Sequence, residues 1–150
     1  MPPPIYLDHA ATTPVRPEVL EAMLPYFGPR FGNPSSTHRW GREARAALDE
    51  ARERVAGSLG AAADEICFTS GGTESDNLAV LGAWRALRDT RRAIVSTVIE
   101  HKAVLAAVHQ VEHEGGTARL AEVDGNGTVV ADRFAALVGD DTALCSVMWV

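Results

Sequence analysis

Lysine is nearly absent from this chain: of 14 basic residues, Lys102 is the one lysine and the rest are arginines. Cysteine is scarce as well. Cys67 and Cys145 are the only two, they form no C-x-x-C pair, and a disulfide framework is not expected from them. Each lies in an apolar, strand-like run, so both are expected as buried core thiols. No apolar run is long enough to cross a bilayer. Positive charge is also short. A formal net charge of −6 argues against a nucleic-acid footprint and against binding to an anionic membrane. The segment Met1–Asp8 has neither a basic n-region nor an apolar h-region, and it lacks the Arg/Ser-rich character of a transit peptide. No signal peptide is therefore expected, and the cytoplasm is the expected compartment. Internal repeats and low-complexity tracts are missing too.

What remains is ordinary for a folded domain: 150 residues, 46% apolar and 23% charged, enough to bury a real core. Ile5-Tyr6-Leu7 reads as a short strand before the turn-prone Asp8–Pro14. A helix is expected from Arg16-Pro17 to Phe27, stopped by Gly28-Pro29. Residues 28–37 read as an ordered loop. A long amphipathic helix, His38 to Leu59, carries Ala44, Ala47, Leu48, Ala51, Val55 and Leu59 on one face and a solvated charged face with Glu50 and Arg54 at i,i+4. From Ile66 onward strands and helices alternate. Ile66–Thr69 reads as a buried strand, followed by a helix over about 74–87 and the strand Ala93–Val98. A helix over about 102–114 stops at Gly115-Gly116. Then come a strand near 118–123, the turn Asp124–Gly127, a short helix 132–138 and a strand 143–150. Near-continuous apolar strands between helices predict an α/β fold, a mostly parallel sheet covered on both faces in three layers. Leu144–Val150 reads as a central strand, so the chain is expected to be part of a longer one.

Ser70-Gly71-Gly72-Thr73-Glu74-Ser75-Asp76-Asn77 is the most informative segment. Two glycines between an apolar run and a helix allow close approach to a ligand, and the first helical turn offers free N–H groups and a positive dipole end to an anion. A plain strand–turn–helix joint, with Thr73 or Ser75 as N-cap and Glu74 and Asp76 favouring the dipole, explains the spacing equally well. Ligands of open α/β sheets bind at the carboxyl ends of strands. Ile99-Glu100-His101 marks a second such end, where an imidazole could stack on a flat ring or move protons, or could serve as a cap. His109 and His113 at i,i+4 lack the glutamate that a zincin needs after the first histidine, because Gln110 stands there, and they read as an exposed face; no metal site is expected. Lys102, beside His101, invites a Schiff-base role. Its place in the first turn of a helix, with no apolar pocket evident, reads as a surface lysine.

Five segments stand in one order: Tyr6–Pro14, Phe31–His38, Phe68–Ala79, Glu100–Leu105 and Ser146–Val150. Together they resemble the cysteine desulfurases, the class-V aminotransferase group of pyridoxal-phosphate (PLP) enzymes with the type I fold. The resemblance covers the whole chain. It implies an N-terminal segment and long helix over about 1–60 and the start of a large cofactor-binding domain over about 61–150. It implies that Gly72 and Thr73 hold the PLP phosphate through backbone N–H groups and the threonine hydroxyl. His101 would stack on the pyridine ring and assist proton transfer. Asp8–Thr13 and Asn33–His38 resemble segments at the active-site entrance of a homodimer. The implied reaction removes sulfur from L-cysteine, gives L-alanine and an enzyme persulfide, and passes sulfur to an acceptor or scaffold protein for iron–sulfur cluster assembly or tRNA thiolation. The family's Schiff-base lysine, pyridine-pairing aspartate and sulfur-accepting cysteine match none of Lys102, Cys67 and Cys145, and the 150 residues alone are expected to be inactive. Other readings are a selenocysteine lyase or another class-V PLP enzyme, a non-catalytic remnant, and an unrelated nucleotide-binding domain. The last is disfavoured because Gly71-Gly72 fits neither G-x-G-x-x-G nor G-x-x-x-x-G-K-[ST].

Overall fold

Pro17 starts the first helix, α1 (Pro17–Met23), at a position where its missing N–H costs nothing, and Glu18 favours the positive end of the dipole. Pro25 removes the donor that the next turn needs, and the chain tightens into a 3-10 turn, Leu24–Phe27, ended by Gly28. These elements belong to a computed structural model that describes residues 4–149 and divides between Cys67 and Phe68 into two units.

In the first unit, Ile5-Tyr6-Leu7 is not a strand. An extended apolar run becomes a strand only by pairing, and no described strand pairs with it. Instead the Tyr6 hydroxyl donates to the carbonyls of Asp8 (2.9 Å) and Thr12 (3.3 Å) and closes the 8–13 turn. The 28–37 loop is ordered, as expected. Asn33 accepts from the Ser35 N–H through its side chain and from Ser36 through its carbonyl, both at 2.9 Å. It is seated against the start of α2 (Arg39–Leu59): a Cβ on Gly41 would lie 2.1 Å from the Ser36 carbonyl oxygen. His38 caps α2, its Nδ1 accepting from Gly41 N–H at 3.2 Å. On the predicted apolar face Ala44, Ala47 and Leu48 are half-buried, whereas Val55 and Leu59 are exposed. Glu50 and Arg54 pair on the exposed face.

The second unit holds α3 (Gly72–Leu87), β1 (Ala93–Thr97), α4 (Lys102–His113), β2 (Thr117–Ala121), α5 (Ala131–Ala135) and β3 (Thr142–Cys145). The sheet has the order β2-β1-β3 and both of its strand pairings are parallel; an isolated antiparallel bridge joins Val123 and Val129. Strand β1 is central and buried throughout. Ile94 packs with Val80 and Trp84 of α3 and with Val104, Ala107, Val108 and Val111 of α4. Burying such side chains contributes roughly 1.5–3 kcal/mol each. The opposite face of β1, carrying Val95 and Thr97, is buried as well; α5 meets β1 but is absent from the Ile94 cluster.

Three expectations fail here. Ile66–Thr69 runs without regular structure and Cys67 is exposed. The last strand ends at Cys145, short of the expected 143–150, and pairs with β1; Val150 lies outside the described residues. Cys145 is exposed too, not a core thiol.

Candidate functional site

Helix α3 begins at Gly72, two residues before the expected start, with Gly71 as N-cap in extended backbone (φ 164°) and no side-chain cap. Neither Thr73 nor Ser75 caps it. Glu74 turns back instead, accepting from Ser70 N–H at 2.7 Å and from Ser70 Oγ at 2.6 Å, which holds its carboxyl below the usual carboxylate range. Ser75 Oγ shares a 2.6 Å hydrogen bond with Thr69 Oγ1. The N–H groups of Gly72, Thr73 and Glu74 find no acceptor among the described residues, as the first turn of a helix dictates. A Cβ on Gly71 or Gly72 would meet nothing within 4 Å, so the glycines leave open space over these donors. Thr73 adds a hydroxyl. The donor set suits an anion.

His101 is the N-cap of α4: its Nδ1 accepts from Ala103 N–H at 3.2 Å. The side chain is therefore a cap, and more. With Nδ1 occupied as an acceptor, the neutral ring carries its proton on Nε2 and is oriented by the helix backbone. The residue remains exposed. Lys102 follows it, also exposed.

The two helix starts share one end of the sheet. At the other end of the helices Arg85 Nε donates to Glu114 Oε2 at 3.0 Å, and Gly116 lies against the Trp84 ring. The helices therefore run in the same direction. Gly72 precedes Arg85 by as many residues as His101 precedes Glu114, so both starts stand about 20 Å above that clasp. Helix α4 follows β1 after four residues, which puts His101 at the carboxyl end of the central strand, the binding crest of open α/β sheets. Val98 N–H donates to Ala121 O at 3.2 Å just below it.

The two decoy histidines sit farther along α4. His109 Nδ1 lies 3.2 Å from Glu112 on an exposed face of α4, and His113 is exposed beside it. Asp8–Thr13 and Asn33–His38 belong to the first unit. The buried Glu100, in the crest turn itself, was not singled out by the sequence; a carboxylate between an apolar strand and a cap was the available signal.

The aminotransferase class-V sequence profile matches residues 5–150. A cysteine desulfurase IscS from Dictyoglomus turgidum is 48% identical over 144 residues, which is 96% of this chain and 36% of the relative. A cysteine desulfurase NifS from Azotobacter vinelandii is 46% identical over 146 residues, 97% of this chain and 36% of that protein. Among solved structures, a NifS-like protein superposes with a TM-score of 0.84 at 39% identity, covering 91% of this chain and 38% of its own. SspA in complex with cysteine gives 0.85 at 34%, covering 95% and 41%. The chain thus spans little more than a third of the curated relatives it matches.

Proposed function

The chain belongs to the aminotransferase class-V family, and on that premise we propose that it forms the phosphate-holding part of a PLP-dependent cysteine desulfurase. The observation that carries the reading is the pair of helix starts, one offering unpaired donors and the other an oriented imidazole. The similarity to proteins named cysteine desulfurase, and to SspA in complex with cysteine, supports L-cysteine as substrate.

Gly72 and Thr73 would hold the cofactor phosphate with their N–H groups and the Thr73 hydroxyl, helped by the α3 dipole. When bound, PLP supplies an electron sink for the substrate. His101, with Nδ1 fixed on Ala103 N–H, would stack on the cofactor ring and donate and recover a proton at Nε2. A thiolate elsewhere in the protein would take the substrate sulfur, leaving L-alanine and an enzyme persulfide for an acceptor or scaffold protein serving iron–sulfur assembly or tRNA thiolation. The Schiff-base lysine and that cysteine would lie in the share of the relatives' length this chain does not span. The same proposal has the intact protein working as a cytoplasmic homodimer. No observation favours the selenocysteine lyase or the non-catalytic reading.

The test uses the intact protein. Thr73→Ala should lose its cofactor absorbance on dialysis while the wild type keeps it; a variant that retains cofactor unchanged contradicts the phosphate assignment. His101→Ala should keep its cofactor and form alanine about 10²–10⁴-fold more slowly. Wild-type protein that releases no alanine from L-cysteine overturns the activity.

A further inference from the structure

Three side-chain oxygens among the described residues are buried without any hydrogen-bond partner: Ser96 Oγ, Thr97 Oγ1 and Glu100 Oε1. All three fall between residues 96 and 100, at the carboxyl end of β1 and in the turn that delivers His101. Ser96 and Thr97 alternate to opposite faces of the sheet, so the orphans share no single pocket, and each buried polar atom without a partner calls for its own explanation. Glu100 is the one that carries charge, and it is 7% exposed. A carboxylate that deep, left ionised and unpaired, costs far more than a neutral hydrogen bond returns.

No described residue supplies its partner. Arg85 is engaged by Glu114 and Arg119 by Asp141. His101 uses Nδ1 as an acceptor. The neighbouring Lys102 forms no described ion pair and is exposed. Oε1 has less than 1 Å² of exposed surface, so an exchanging small molecule has no ready route to it. A side chain placed there during folding needs none.

We infer that Glu100 is a positioning residue whose carboxylate receives a cationic N–H donor, an arginine or lysine side chain from the share of the relatives' length this chain does not span. The bond pins the turn between β1 and α4 and so fixes the orientation of His101. Its functional readout rests on the proposed activity; its structural readout does not.

The decisive variant is Glu100→Gln in the intact, cofactor-loaded protein, because it keeps shape and one acceptor oxygen while removing only the charge. The expected result is a kcat for alanine formation lowered at least about tenfold with KM within about twofold, and an apparent Tm lowered by about 5 °C or more. Combined with His101→Ala, it should add no further loss of kcat. A Glu100→Gln protein with wild-type kcat and Tm overturns the cationic donor. Losses that multiply in the double variant overturn the route through His101. If the wild type itself makes no alanine, the proposed activity fails, and the apo proteins' Tm comparison then decides: an unchanged Tm overturns the ion pair. A crystal structure of the intact protein with a backbone N–H or a bound ligand on Oε1, in place of arginine or lysine, overturns it as well.

Discussion

Replacing Gly116 by alanine should be among the most damaging single-methyl changes in the second unit. Its backbone is not in the left-handed region, unlike that of Gly115 at φ 87°, so the cost is steric and not conformational. The new Cβ would lie 2.4 Å from Val111 Cγ1 and 2.7 Å from Trp84 Cζ2. Both neighbours are fully buried core side chains, with no solvent to retreat into. Overpacking a filled core costs about 1–3 kcal/mol. Trp84 is also tethered, its Nε1 donating to the Arg92 carbonyl at 3.0 Å, and prying it loose adds about 1 kcal/mol. The expected destabilisation is therefore about 2–4 kcal/mol. It can be read from urea unfolding of the intact protein followed by far-UV circular dichroism. Adding Val111→Ala should relieve part of the clash, with a coupling of at least about 1 kcal/mol. A shift below about 0.5 kcal/mol would refute the packing argument. Gly57→Ala is the matched contrast: it lies inside α2, its Cβ meets nothing within 4 Å, and it should stabilise by about 0.8–1 kcal/mol.

At Gly41 the obstacle is backbone that cannot rotate away, so Gly41→Ala should cost about 3 kcal/mol and raise proteolytic cutting between Asn33 and His38; an uncut loop would count against the seating described. Glu114 is held down to about 2 from 4.5, first by its hydrogen bond from Arg85 and then by Gln110. A carboxyl depressed in the folded state contributes stability in full above pH 4.5 and loses it as pH falls toward 2. Arg85→Leu should flatten that acid limb in thermal melts and leave the slope between pH 7 and 9 alone; an unchanged acid limb would show that Arg85 does not set it.

The helices were legible because each carries a local signal: Pro17 and Gly28 bracket the first, and the spacing of Ala103, Val104, Ala107, Val108 and Val111 is a single stripe. The C-terminus of α4 was legible for the same reason. Gly115 takes the left-handed position and Gly116 N–H returns to Val111 O at 2.8 Å. Strands were less legible, since Ile5–Leu7 and Ile66–Thr69 have the composition of strands but the pairing that makes one is not local. Cys67 and Cys145, placed in such runs, come out exposed. At the crest, the glycine turn and His101 were found from type and position. That their helices run in the same direction was hidden, because it shows in Arg85–Glu114 and in the contact of Gly116 with Trp84, partners about thirty residues apart.

That clasp makes α3 and α4 behave as two prongs on a common stem. The spacing of their tips, where the donors of Gly72 and the ring of His101 stand, is decided at the stem. A tilt of about 3° there moves a tip by about 1 Å over a length of about 20 Å. In a reacting centre, a misplacement of about 1 Å costs on the order of a hundredfold in rate. Substitutions around Trp84, Glu114 and Gly116 would thus slow the proposed chemistry, which none of these residues touches, by shifting the crest groups without removing any of them.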